Sequence, residues 1–150
     1  GVVQLHRMTE QQLKLKHIFE RLQTIIKIYE PREMAIEAPF YGKNVQSMLK
    51  LGRAQGVAMA AGITLGVDIT EYSPRKIKQS VTGNGNAAKE QVAAMLSQIL
   101  SIDLSAYDLD ATDALGAAVC HYYQSQNPLA SSRRHNDWSS FLRDNAARLK

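Results

Sequence analysis

The stretch EMAIEAPFYGKNVQSMLKLGRAQGV, residues 33–57, contains the change of pattern that decides the fold class. Its first six residues, EMAIEA, are apolar in the middle and predict a strand that is buried in a sheet. Asn44 is a preferred N-cap residue and precedes a helical pattern that runs to about Gly62. The helix carries small residues that permit close approach of another helix: Gly52, Ala54, Gly56, Ala58 and Ala60.

The chain before this stretch also predicts a strand and a helix. GVVQLH, residues 1–6, has the pattern of a short strand. Thr9 and Gln12 have the spacing of a capping box for a long helix, which Pro31 ends. The helix has apolar residues at helical spacing, so it should bury one face.

The chain after the stretch continues the alternation. VDITEY, residues 67–72, predicts a strand, and Ser73 followed by Pro74 predicts the start of a short basic helix. Asn86 is expected to cap a helix that continues through about Leu100. A final helix is predicted over LDATDALGAAVCHYY, residues 109–123. Strands that alternate with helices predict an α/β fold.

Composition limits the classes of protein to which the chain can belong. Hydrophobic residues make up 45% of its 150 residues, which excludes a disordered chain, and no apolar run is long enough to span a bilayer. The single cysteine, Cys120, excludes an internal disulfide and favours a reducing compartment, so we expect a cytoplasmic protein with no membrane partner. From Gln124 onward the composition shifts to Ser, Asn and Arg, and we expect a domain over 1–126 followed by a basic tail over 127–150.

Two aspartates at the start of the last helix are candidate metal ligands. Asp110 and Asp113 share a helix face, where like charges need a compensating cation. If Glu37 at the end of its strand lies near them, three hard oxygen ligands would suit Mg²⁺ or Mn²⁺. Two such ions can activate water and stabilise the leaving oxygen of a phosphodiester. The alternative is that the aspartates only favour the positive end of the helix dipole. We expect a metal ion, not a protein cation, as their partner.

The region between Lys43 and Lys89 is basic, with seven basic and two acidic residues. Such a region is typical of polyanion binding, and the alternative is a solvated basic face. Phe40 and Tyr41 follow the Glu37 strand directly; an exposed aromatic there could stack on a base, and a buried one would anchor the loop. The four histidines show no metal-ligand spacing, and GNG is not a nucleotide-binding loop.

Three stretches in order resemble one family. AIEAPFYGKNVQSMLKLGRAQGV, EYSPRKIKQSVTGNGNAAKEQV and DLDATDALGAAVCHYY are similar to the RuvC Holliday-junction resolvases, and the similarity runs from about Val2 to Gln126. The resemblance implies an RNase H-like fold with a mixed central sheet flanked by helices. It implies a homodimer that nicks four-way DNA junctions symmetrically in recombination and repair, with two Mg²⁺ ions (or Mn²⁺) per active site. It also implies cooperation with the RuvA–RuvB branch-migration complex.

The resemblance assigns roles to individual residues. Glu37 matches the second catalytic carboxylate of the family, and Asp110 and Asp113 match its helical pair. Lys78 and Lys89 match lysines near the scissile phosphate. The helix from Asn44 to Gly62 matches the dimer-forming helix, and Phe40 matches the aromatic residue that stacks at the junction centre. The full set of expected DNA-binding residues is Phe40, Tyr41, Lys43, Arg75, Lys76, Lys78 and Lys89.

One segment of the family pattern has no match in this chain. The family begins with a strand that reads roughly GIDPGS, whose aspartate is the first metal ligand and which pairs with the strand carrying Glu37. The present sequence starts at what resembles the third strand, so the first two strands are expected to be absent from the sheet. The alternative function is therefore a truncated dimer that binds junctions but does not cut them.

Overall fold

The computed structural model describes residues 1–39 and 44–126, which form alternating helices and strands. The α/β prediction is confirmed. The tail 127–150, together with Phe40, Tyr41 and Lys43, lies outside the described residues. The elements in chain order are α1 (Gln11–Tyr29), β1 (Glu33–Glu37), α2 (Val45–Ile63), β2 (Asp68–Tyr72), α3 (Pro74–Thr82), α4 (Lys89–Leu100) and α5 (Leu109–Ser125).

The sheet consists of β1 and β2, which pair in parallel through the crossover helix α2. Glu33 lies opposite Asp68 and Glu37 opposite Tyr72, so the carboxyl ends of both strands lie at one edge. The Ala38 N–H donates to the Tyr72 carbonyl at 2.8 Å and extends the pairing past Glu37. The expected mixed sheet would need an antiparallel strand, and none occurs in residues 1–39 and 44–126.

Helices cover both faces of the strand pair. On one face α2 packs closely, since a Cβ on Gly62 would lie 3.0 Å from Ile69 Cδ1 and 3.2 Å from Met34 Cε. On the other face Ala35 and Tyr72 pack against a buried cluster of α3 and α5 residues, namely Ile77, Ala117 and Cys120. Because side chains alternate between the faces of a strand, Glu33, Ala35 and Glu37 all face α5.

The main core lies between α3, α4 and α5, on the α5 side of the sheet. Leu96 of α4 is fully buried at its centre, with 0% of its surface exposed. The buried residues of this cluster are Val81, Ala87, Val92, Leu96, Leu104 and Val119. Since α5 contributes to this core and also contacts β1, the core fixes where the start of α5 lies relative to the strand ends.

Two helix starts follow local signals in the sequence. The Asn44 side chain accepts from the Ser47 N–H at 3.1 Å and caps α2. The Ser73 hydroxyl accepts from the Lys76 N–H at 3.2 Å, and Pro74 is the first residue of α3. Both predicted caps are confirmed. No helix in the described part of the chain combines the length and hydropathy that a bilayer crossing needs.

The predictions for the first ten residues are wrong. GVVQLH forms no strand, because a strand needs a neighbour for its backbone groups and residues 1–6 pair with neither β1 nor β2. The expected capping box of Thr9 is also absent: Glu10 occupies the N-cap position of α1 and its side chain makes no capping hydrogen bond.

Two further local predictions are wrong. α4 does not start at Asn86; its N-cap is Ala88, whose N–H donates to Gln91 Oε1 at 2.9 Å. The Asn86 N–H instead donates to Asn84 Oδ1 at 3.0 Å and stabilises the turn before the helix. β1 is not a fully buried strand, since its centre is half-buried and its ends are exposed. The reason is that β2 is its one strand neighbour in the described residues.

Candidate active site

The candidate carboxylates meet at the carboxyl end of β1, the usual position of ligands in α/β sheets. Glu37 is the last residue of β1 and faces α5. Asp110 and Asp113 lie in the first turns of α5, and Lys89 is the first residue of α4. The loop and helix that follow β2 bring Lys78 to the same edge. Four elements that are distant in the sequence therefore bring these five residues towards one edge of the sheet.

Lys89 is the partner of both aspartates in this structure. Its ammonium lies 2.5 Å from Asp113 Oδ2 and 3.8 Å from Asp110 Oδ1. The hydrogen bond to Asp113 is the main reason that the pKa of Lys89 is raised, and the charges of Asp113, Asp110 and Glu37 add to it. A protein cation thus contacts both aspartates in this structure, and a metal ion as their partner stays a prediction.

Glu37 lies within electrostatic reach of the other charged residues. Partial burial raises the pKa of its carboxyl above the ordinary value, and the negative charge of Asp113 raises it further. The positive charges of Lys89 and Lys78 act in the opposite direction. The strand end therefore concentrates negative charge that two lysines offset in part.

The chemistry of the carboxylates fits a divalent cation. Asp110 and Asp113 already share one cation, the Lys89 ammonium, and carboxylate oxygens are the ligands that Mg²⁺ prefers. Their surroundings differ, since 92% of the Asp110 side chain but 26% of the Asp113 side chain is exposed. Across residues 1–39 and 44–126, no three His, Cys, Asp or Glu side chains are close enough together to hold an ion, so Glu37 does not complete the cluster in this arrangement.

A basic cavity is lined in part by Lys78, whose charge acts on Glu37. It has a volume of about 530 Å³ and is lined by Ser73, Pro74, Arg75, Lys78, Gly85 and Asn86. Gly85 is required for its shape, because a Cβ at this position would lie 2.7 Å from Arg75 Cγ. Lys76 is exposed but does not line the cavity. Of the expected DNA-binding residues in the described chain, Arg75 and Lys78 line the cavity, Lys76 is exposed on the same helix outside the cavity lining, and Lys89 contacts the aspartates.

His121 is a residue at the other end of β1 from Glu37 that the sequence patterns did not single out. Its Nδ1 lies 2.8 Å from the Tyr72 hydroxyl oxygen, and its Nε2 lies 2.8 Å from Glu33 Oε2. His121 follows Asp113 by eight residues on α5, and Glu33 precedes Glu37 by four on β1. Without the helix–strand packing, that relation has no visible meaning.

Comparison with known proteins gives a consistent result. A family model described as "Crossover junction endodeoxyribonuclease RuvC" matches residues 1–121. A protein of the same description from Cytophaga hutchinsonii is 57% identical over 150 residues, which cover 100% of this chain and 74% of that protein. One from Christiangramia forsetii is 54% identical over 148 residues, covering 99% of this chain and 77% of that protein.

Two solved structures have a similar fold. One is described as the Thermus thermophilus RuvC structure, with a TM-score of 0.75, 28% identity, and coverage of 83% of this chain and 75% of that one. The other is described as T. thermophilus RuvC in complex with Holliday junction substrate; its TM-score is 0.74 at 26% identity, covering 83% of this chain and 76% of that one.

Proposed function

Because the chain belongs to the RuvC family of crossover junction endodeoxyribonucleases, we propose that it resolves four-way DNA junctions by metal-dependent hydrolysis of phosphodiester bonds. The observation that carries the proposal is the meeting of Glu37, Asp113, Lys89 and Lys78 at one strand end. Such a set of carboxylates and lysines suits a phosphodiester, whose charge the lysines can offset. Residues 1–126 form the nuclease domain in this proposal.

Glu37, Asp110 and Asp113 would hold the divalent cations, two Mg²⁺ or Mn²⁺ ions per site. Bound ions of this kind activate water and stabilise the leaving oxygen. The protein's own contribution is position and charge. β1 places Glu37, α5 places the two aspartates, and the Lys89 ammonium keeps the aspartates together by its contacts to both. Lys78 lies where it can attract the phosphate beside Glu37.

DNA would approach over the basic cavity. Arg75 and Lys78 line it, and the charge of Lys78 acts on Glu37, an arrangement that suits the backbone of a strand entering the site. Phe40, Tyr41 and Lys43 remain predicted DNA contacts on the basis of the sequence, as does Lys76, which is exposed on α3. The binding would weaken with salt, because each phosphate contact releases counterions.

A homodimer is supported by an uncovered apolar stripe on α2. Val45, Leu49, Gly52 and Gly56 recur at helical spacing and are all exposed. A Cβ on Gly52 or Gly56 would meet no atom within 4 Å in residues 1–39 and 44–126, so these glycines do not serve packing within that part of the chain. Two copies that pair through this stripe would present two active sites to one junction. Cooperation with RuvA–RuvB and a cytoplasmic location belong to the proposal through the family resemblance alone.

The proposal is tested by incubating the chain with a labelled four-way junction and Mg²⁺, with a linear duplex of the same sequence as the control. We expect paired, symmetric nicks in the junction and none in the duplex. Junction binding is scored in parallel by gel shift. Binding without nicks at any Mg²⁺ or Mn²⁺ concentration would favour the alternative, a junction-binding dimer that does not cut.

Lys78→Ala should lower nicking more than binding. We expect a fall in the single-turnover rate of about 10²-fold, the usual effect of removing one charged group that stabilises a transition state. Loss of one phosphate contact among many should weaken junction binding only a few-fold. Lys27→Ala on the exposed part of α1 is the matched control and should change neither quantity. Equal losses of rate and affinity in Lys78→Ala would mark Lys78 as a simple backbone contact.

A further inference from the structure

A short chain of hydrogen bonds joins α5 to both strands. The Glu33 carboxylate can only accept, so His121 Nε2 carries a proton and donates to it at 2.8 Å. In the neutral ring, His121 Nδ1 then accepts from the Tyr72 hydroxyl, also at 2.8 Å. Burial raises the pKa of Tyr72, with the charge of Cys120 and of Glu33 adding to the effect, so this hydroxyl keeps its proton. In the described residues, these two bonds are the side-chain hydrogen bonds between α5 and the strands.

The distance between two polar residues of α5 is close to the distance between two carboxylates of β1. Glu33 and Glu37 are four residues apart on a strand, which corresponds to about 13 Å. Asp113 and His121 are eight residues apart on a helix, which corresponds to about 12 Å. His121 is hydrogen-bonded to Glu33 at the start of β1, and the charge of Asp113 acts on Glu37 at the end of β1. α5 therefore runs antiparallel to β1.

The two ends of this arrangement oppose each other energetically. Glu37 and Asp113 carry like charges, and their repulsion tends to separate the start of α5 from the strand end. Lys89 offsets part of this repulsion through its charge, but its ion pairs go to Asp113 and Asp110 and it belongs to α4, so it does not tie α5 to a strand. At the other end, His121 holds α5 to Glu33 and Tyr72. Tyr72 is also the register partner of Glu37.

We propose that His121 is a positioning residue that fixes α5 along β1 and thereby sets the separation between Glu37 and Asp113. This inference rests on the proposed function. His121 does not touch the substrate in this role. It acts through the helix, with Glu33 orienting its ring and Tyr72 linking it to the strand that pairs with Glu37. A misplacement of a catalytic group by about 1 Å can cost about 10²-fold in rate, so a small shift of α5 would be visible.

The test compares His121→Leu with Gln23→Leu in the full chain. Gln23 is the matched control because its Nε2 donates to Thr64 Oγ1 at 3.2 Å, a bond between α1 and the end of α2 on the other side of the sheet. Three quantities are measured well below the melting temperature: the single-turnover nicking rate at saturating Mg²⁺, the junction Kd in Ca²⁺, and the nitrogen NMR signal of Lys89 Nζ without DNA or metal.

We expect His121→Leu to lower the rate about 10-fold, to leave the Kd within about twofold, and to shift the Lys89 Nζ signal towards that of an exposed lysine. Tyr72→Phe, which removes one hydroxyl, should change the rate and the signal in the same direction by a smaller amount. Gln23→Leu should change none of the three. A merely structural role would instead lower the melting temperature in both leucine variants and leave rate and signal unchanged, which would overturn the inference.

The design separates this inference from the proposed function. If the unmodified chain does not nick junctions, the proposed function fails, and the Lys89 Nζ signal still decides whether His121 controls the position of α5. If His121→Leu does not fold, Tyr72→Phe carries the test. An unchanged Lys89 signal in Tyr72→Phe would then contradict the positioning role.

Discussion

Asp113→Asn is expected to abolish junction nicking, with a loss of about 10³-fold or more in the single-turnover rate and a junction Kd within about twofold. The amide keeps the shape of the side chain but removes the charge that would hold a metal ion. Binding should survive because the basic cavity lined by Arg75 and Lys78 is not altered. The measurement is a nicking assay at saturating enzyme with gel-shift binding in parallel.

Asp103→Asn is the matched control for this variant. Asp103 Oδ1 accepts from the Ser105 N–H at 2.9 Å, a bond that an asparagine can keep, and the residue lies outside the site. It should nick junctions as the unmodified chain does. A second observation follows from electrostatics: since Asp113 raises the pKa of Glu37, the Glu37 carboxyl should titrate at lower pH in Asp113→Asn. Retained nicking in Asp113→Asn would remove Asp113 from the catalytic set.

Leu96→Ala should have the largest effect on stability, lowering the free energy of unfolding by about 2–5 kcal/mol. Leu96 is fully buried at the centre of the core between α3, α4 and α5, so its truncation leaves a cavity that the surrounding helices can fill only in part. The measurement is urea unfolding followed by circular dichroism, with the denaturant slope compared between variants to confirm that ΔG itself has changed.

The control for that experiment is Leu13→Ala on α1, where 49% of the leucine is exposed. Leu13→Ala should lower the free energy of unfolding much less than Leu96→Ala, because folding buries less of the Leu13 side chain. Equal losses in the two variants would mean that the cluster around Leu96 is not the core that holds α5 in place.

Local signals in the sequence predicted the elements that depend on local contacts. Asn44, Ser73 and Pro74 mark helix starts because the capping bond forms between residues three apart. The signals failed where a distant partner decides the outcome. GVVQLH has the pattern of a strand but pairs with neither β1 nor β2, and Asn86 serves a turn rather than the start of α4.

The sequence predicted which residues belong to the candidate site, but not which of them contact one another. The spacing of Asp110 and Asp113 and the strand-end position of Glu37 indicate residue types and faces, which follow from helical and strand periodicity. That Lys89 lies between the aspartates, and that His121 reaches Glu33, depend on how α4, α5 and β1 pack. Periodicity within one element carries no information about the distance to another.

Asp113 and His121 on α5 are separated by nearly the same distance as Glu33 and Glu37 on β1, and this limits how such a chain can evolve. One residue inserted between Asp113 and His121 would turn one of them by about 100° around α5. One residue inserted in β1 would send Glu33 or Glu37 to the opposite face of the sheet. Insertions and deletions should therefore accumulate in connecting segments such as 101–108, whereas α5 and β1 can change in composition but not in length.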